Sequence, residues 1–171
     1  MRRRGDRSFP HRRGGARTGP EVGTEAAITR IAMPTLTRVF LSFAPEDANY
    51  RSLLVAASRA AGLPVRFVET THHVTDARRR RVLSSAKLQQ CDMAVVLASP
   101  RATRSLTVEA DVAAVHEAGL PLHAIVAGRP VSESIVPAAW ETSSVVGWNW
   151  PRILEFLQCL PLGGLEFRRA G

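Results

Sequence analysis

A chain of 171 residues that is 45% hydrophobic can bury one ordinary core, so one domain is expected. No apolar run approaches the roughly 18–20 residues of a membrane span, and no apolar segment follows the basic N-terminus, so neither a spanning segment nor a secretory signal is expected. Cys91 and Cys159 lack metal-ligand spacing and are too few for a disulfide scaffold. A reducing cytoplasm fits them, and no metal or resident cofactor is expected.

The net charge of +8 is unevenly spread. Residues 1–32 carry eight arginines against Asp6, Glu21 and Glu25, leaving fifteen basic and twelve acidic residues beyond them. That stretch is rich in Arg, Gly, Pro and Thr, and its only apolar cluster is Ala26-Ala27-Ile28 with Ile31. It is expected to be a disordered tail. It reads as a nucleic-acid or membrane-surface arm, as a transit peptide, or, the reading preferred here, as an over-long gene start with Met33 the natural initiator. Neither nucleic acid nor membrane is therefore expected as a partner.

From Met33 onward strand and helix patterns alternate. Arg38 to Phe43 is predicted as the first strand, and Glu46 to Ala61 as a helix with Leu53, Leu54, Ala57 and Ala61 inward. Gly62-Leu63-Pro64 stops it, with Gly past the end and Pro beyond. Val65 to Glu69 is the second strand, followed by a loop with an exposed pair, His72 and His73. Asp76 caps a helix running to about Gln90. Its Arg78-Arg79-Arg80-Arg81 run points in four directions and is read as a solvated, snorkelling face. Ser84-Ser85-Ala86-Lys87 matches a hydrolase Ser-x-x-Lys by chance, because the companion Lys-Thr-Gly is missing.

Met93 to Ala98 is continuously apolar, as a central parallel strand covered on both faces should be. A helix spans about Ser105 to Ala118, Leu122 to Ala127 is the fourth strand, and Ser144 to Trp148 a short edge strand. The last helix runs from Trp150 to Leu160 with Pro151 in its first turn, and 161–171 is a C-terminal tail. Trp140, Trp148 and Trp150 are expected to cover the open edge of the sheet. The fold class is α/β: a flavodoxin-like, five-stranded parallel sheet with helices on both faces. Walker, Rossmann-glycine and His-Glu-x-x-His motifs do not occur.

Strand order 2-1-3-4-5 puts the switch point between the first and third strands, where ligand crevices form. Ser42, Phe43 and Asp47 would line one side, and Ser99, Pro100 and the helix starting near Ser105 the other. Ser42, Phe43, Asp47, Ser99 and Ser105 are the candidate ligand-binding residues. Phe43 and Tyr50 are also candidates for stacking on an adenine, with core packing an equal reading for Phe43. Two acids, Glu109 and Asp111, lie on that helix. At about 100° per residue, Asp111 falls roughly 65–70° from the centre of the Val108, Val112 and Val115 stripe, and Glu109 about 90–95° on the opposite flank. Asp111 is therefore the crevice-facing candidate and Glu109 leans outward. The plainer reading makes both solvated acids favoured by the helix dipole.

The first strand, Val39-Phe40-Leu41-Ser42-Phe43, then Glu46-Asp47 and a helix, resembles the opening box of TIR (Toll/interleukin-1 receptor) domains, and the chain is similar to short bacterial TIR-like proteins. The likeness covers about residues 37–160. The TIR helix pattern Trp-Val-x-x-Glu-Ile aligns without gaps on Thr107-Val108-Glu109-Ala110-Asp111-Val112, with Thr107 for Trp and Asp111 for the catalytic Glu. The Arg-Asp-x-x-Pro-Gly box of animal receptors is missing. The resemblance implies a cytoplasmic signalling protein with NAD+ or a related nucleotide as substrate, nicotinamide release and a cyclic ADP-ribose-type product, as in Thoeris-type antiphage defence. The alternative it implies, ranked just below, is a non-catalytic module that associates with itself, with other TIR domains or with an effector. A nucleoside deoxyribosyltransferase-like enzyme is a third reading. Cleaving nicotinamide needs a carboxylate against an oxocarbenium-like ribose. An Asp reaches about 1.5 Å less than a Glu, a displacement that can cost about a hundredfold in rate.

Overall fold

A computed structural model describes residues 36–70, 74, 76–128 and 135–160, and every structural statement below concerns those residues. The tails assigned to 1–32 and 161–171 and the pair His72 and His73 lie outside them. Five parallel strands, β1 (Thr37–Ser42), β2 (Val65–Val68), β3 (Met93–Ala98), β4 (Leu122–Val126) and β5 (Ser144–Val146), form one sheet in the order β2-β1-β3-β4-β5. The helices are α1 (Ala48–Ala60), α2 (Ala77–Leu88), α3 (Leu106–Glu117) and α4 (Trp150–Cys159). Each predicted element is present, with ends within about two residues of those read from sequence.

The alternation of side chains along β1 divides the core. Val39, Leu41 and Phe43 point to one face, where they pack with Leu54 of α1 and Ile153, Phe156 and Leu157 of α4. Phe40 and Ala44 point to the other, beneath Leu88 of α2 and Val108, Val112 and Val115 of α3. Strand β3 is buried at all six positions, as a central strand covered on both faces must be.

Helix ends follow from local chemistry. Gly62 and Gly119 take left-handed φ values of 63° and 66° just past α1 and α3, a conformation that costs a side-chain-bearing residue about 1 kcal/mol. The Asp76 carboxylate accepts from the Arg79 amide at 2.6 Å and caps α2, and Asn149 caps α4 by accepting from the Arg152 amide. None of the described helices is long and apolar enough to cross a membrane.

Three expectations need correction. Leu53, placed on the inner face of α1, is 51% exposed; Ser58 is buried instead, its hydroxyl donating to the Leu54 carbonyl at 2.7 Å. The tryptophans do not act together. Trp140 joins the core under α3, whereas Trp148 stacks edge-on with Tyr50 at 4.9 Å and with Trp150 at 5.3 Å. The arginine run is not uniformly solvated, because Arg80 is only 2% exposed.

Candidate functional site

Strand period carries Ser42, two residues after Phe40, onto the α2–α3 face at the carboxyl end of β1. Helical period puts Arg80 and Ser84 on one face of α2, and Thr107 and Asp111 on one face of α3. The two helices pack together over β1, and Ser42, Arg80 and Ser84 converge on Asp111, which is 0% exposed. Its Oδ2 accepts from the Ser42 hydroxyl at 2.8 Å and from Arg80 Nη2 at 2.7 Å. Its Oδ1 accepts from Arg80 Nε at 3.0 Å and from the Ser84 hydroxyl at 2.5 Å. The guanidinium thus grips the carboxylate with a two-pronged fork, the strong form of this pairing.

The network extends beyond the pair. Ser84 has already given its one proton to Asp111, so the Thr70 hydroxyl, 2.9 Å away, donates to Ser84. Arg80 Nε also reaches the Thr107 carbonyl at 3.2 Å. Ser42, Arg80 and Ser84 therefore hold one buried carboxylate, with Thr70 behind Ser84 and the Thr107 carbonyl behind Arg80. Each oxygen of the carboxylate already accepts two hydrogen bonds.

A second buried acid lies across the switch point. Asp47, at the end of a one-turn 3-10 helix (Pro45–Asp47), accepts from the Ser99 hydroxyl at 2.5 Å. Ser99 accepts in turn from the Arg101 and Ala102 amides at 3.1 and 3.0 Å, opening the 3-10 turn Ala102–Arg104. The loop after β1 is thereby knitted to the loop after β3, and Arg101 adds a bond from Nη1 to the Glu46 carbonyl at 3.2 Å.

Where the structure puts the predicted residues is therefore clear. Asp111 lies beneath Ser42 and Glu109 is exposed, as the helix phase required. Ser42, Asp47 and Ser99 are buried, Ser42 bonded to Asp111 and Ser99 to Asp47. Phe43 is buried in the core on the α1–α4 face. Ser105 is half-buried at the start of α3, its hydroxyl 2.8 Å from that of Thr107. Sequence reasoning missed Arg80, Ser84 and Thr70. A signal was present: Arg80, Ser84 and Leu88 recur every fourth residue in a helix with no other apolar stripe. Such a face can be buried only against a polar partner.

No group of three His, Cys, Asp or Glu side chains among the described residues could hold a metal ion. His123, on β4, lies 2.8 Å by Nδ1 from the Ser144 hydroxyl and edge-on to Phe156, and burial pushes its pKa down. Burial likewise pushes the Cys91 thiol up.

Neither a family model nor a curated protein matches this chain. Among solved structures, a de novo designed Rossmann 2x3 fold protein is similar at 13% identity and a TM-score of 0.47, over 77% of this chain and 94% of that one. A 3-dehydroquinate dehydratase-like protein from Bifidobacterium longum is similar at 14% identity and a TM-score of 0.43, over 74% and 96%. These likenesses concern the α/β fold alone.

Proposed function

We propose that this chain is a TIR-like signalling protein that works in the cytoplasm by association, with itself or with another TIR-like domain or effector, and that Asp111 serves its architecture. One observation carries this reading: the carboxylate at the position of the catalytic acid in NAD-cleaving TIR domains is fully buried and held by Arg80, Ser42 and Ser84. A group meant to stabilise positive charge on a ribose needs an open face toward it. Here the positive charge is supplied by Arg80 from the same chain. Removing one partner of such a pair leaves the other buried and uncompensated, at about 3–5 kcal/mol.

A second reading keeps NAD+ as substrate. It draws support from the placement of Asp111 at the carboxyl end of β1, close to the switch point between β1 and β3. It requires the Arg80 fork to withdraw and α2 to shift before the carboxylate can meet a sugar.

Sedimentation velocity across a concentration series tests the preferred reading. The sedimentation coefficient is expected to rise with concentration in the micromolar range or above. A strictly monomeric chain at every concentration, alone and with candidate partner proteins, would count against it.

A further inference from the structure

Helix α2 is built inside out. It buries Arg80 and Ser84, while Val82 is 65% exposed and Leu83 is exposed beside it. Next to it on the same face of the sheet, α3 opens with Leu106, 68% exposed. The charges of the two helices are segregated. Residues 77–88 contain Arg78, Arg79, Arg80, Arg81 and Lys87 and no acid, whereas residues 106–117 contain Glu109, Asp111 and Glu117 and neither Lys nor Arg. Within one molecule Arg80 pairs with Asp111, and Arg81 with Glu117 at 2.8 Å. That leaves exposed Arg78 and Arg79 at the start of α2, and exposed Glu109 at the start of α3.

Resting on the self-association reading above, we infer that the α2–α3 face is the contact, and that its occupant is the same face of a second copy. Both helices begin at the carboxyl end of the sheet and run side by side. A two-fold axis parallel to them and passing between them lays α2 of one copy over α3 of the other, with both N-termini at the same end. Arg78 and Arg79 then meet the acidic first turn of the partner copy's α3, which carries Glu109. The pairing occurs twice, as an isologous interface demands. The two charged surfaces on one face are complementary to each other and not each to itself, which only this swapped arrangement satisfies.

The area predicts the strength. Helices of this length are about 18 Å long and neighbours lie about 10 Å apart, so the face measures about 18 by 20 Å. That is well under the roughly 800 Å² per partner of a standard stable interface. The dimer is accordingly weak and reversible, and it loosens with salt because charge sets its register.

Charge exchange on the full chain, read by sedimentation velocity, tests this. Arg78→Glu/Arg79→Glu and, separately, Glu109→Arg each place like charges opposite one another twice, and each is expected to weaken association about tenfold or more. Mixing the two variants restores opposite charges at both contacts, so the mixture is expected to associate as the wild type does. All three changes made in one chain are expected to restore self-association as well. The substituted side chains are exposed, so circular dichroism should remain unchanged. Association that persists unaltered in both reversals would overturn the assigned face while leaving self-association standing. A wild-type chain that never associates with itself would overturn both. Weakening without recovery in the mixture would overturn the two-fold arrangement.

Discussion

Asp111→Asn is the perturbation that separates a structural acid from a catalytic one. The substitution keeps the shape of the side chain and removes its charge. Arg80, 2% exposed, is then left as a buried cation facing a neutral amide, and the amide nitrogen must take the place of an oxygen that accepts two bonds. Breaking one side of a buried pair costs about 3–5 kcal/mol. With an unfolding entropy of about 2.1 cal/mol/K per residue over the 115 described residues, the melting temperature should fall by about 12–20 °C. Arg80→Met should cost a similar amount, because it leaves the carboxylate buried and unpaired. The double variant Arg80→Met/Asp111→Leu should be less destabilised than either single change. Its remaining loss, about 1–3 kcal/mol, is the cost of the orphaned Ser42 hydroxyl, since Ser84 keeps Thr70. Thermal and urea unfolding of these proteins, together with Asp111→Leu as the matching single variant, close the cycle. A melting temperature within about 4 °C of wild type for Asp111→Asn, or simple additivity in the double variant, would refute the argument.

Three further outcomes are expected. Ser99→Ala should destabilise by about 1–3 kcal/mol in urea unfolding, because Asp47 loses its hydroxyl partner and two amides lose their acceptor. For His123, burial lowers the folded pKa below the ordinary 6.5, so its contribution to stability is present above pH 6.5 and is lost as pH falls through the folded value; melting temperatures measured from pH 7.5 down to 5 should fall less in His123→Gln. Cys91, buried and with its thiol pKa raised, should react with iodoacetamide at pH 8 more slowly than the part-exposed Cys159, as peptide mass spectrometry would read.

The fold was legible because each cue was local. The apolar run of β3, the glycine after α1, the Asp76 cap and Pro151 in the first turn of α4 each speak for their own few residues. The face on which Asp111 lies was legible for the same reason, since Val108, Val112 and Val115 fix the phase of α3 within one helix, although its complete burial was not. The burial of Arg80 was not, because the Arg80, Ser84 and Leu88 row that sets it apart from Arg78, Arg79 and Arg81 is polar at two of its three positions and reads as buried only once its partner is known. Its partner stands 31 residues away, and the Ser42 hydroxyl that completes the site 69 residues from Asp111. Leu53 misled through the opposite error, an apolar side chain read as inward where the helix buries Ser58 by bonding it to its own backbone. Sequence periodicity places a residue on a face, but only the packed neighbour decides whether a charge there is buried.

The central claim is that this chain acts through association and that its buried carboxylate does no chemistry on NAD+. Nicotinamide release, measured on wild type and Asp111→Asn at a temperature where both are folded and at a concentration where the wild type is assembled, tests it most directly. The expected result is no release that depends on Asp111. Release by the assembled wild type that disappears in folded Asp111→Asn would contradict the claim, and would mean that Arg80 leaves the carboxylate during turnover.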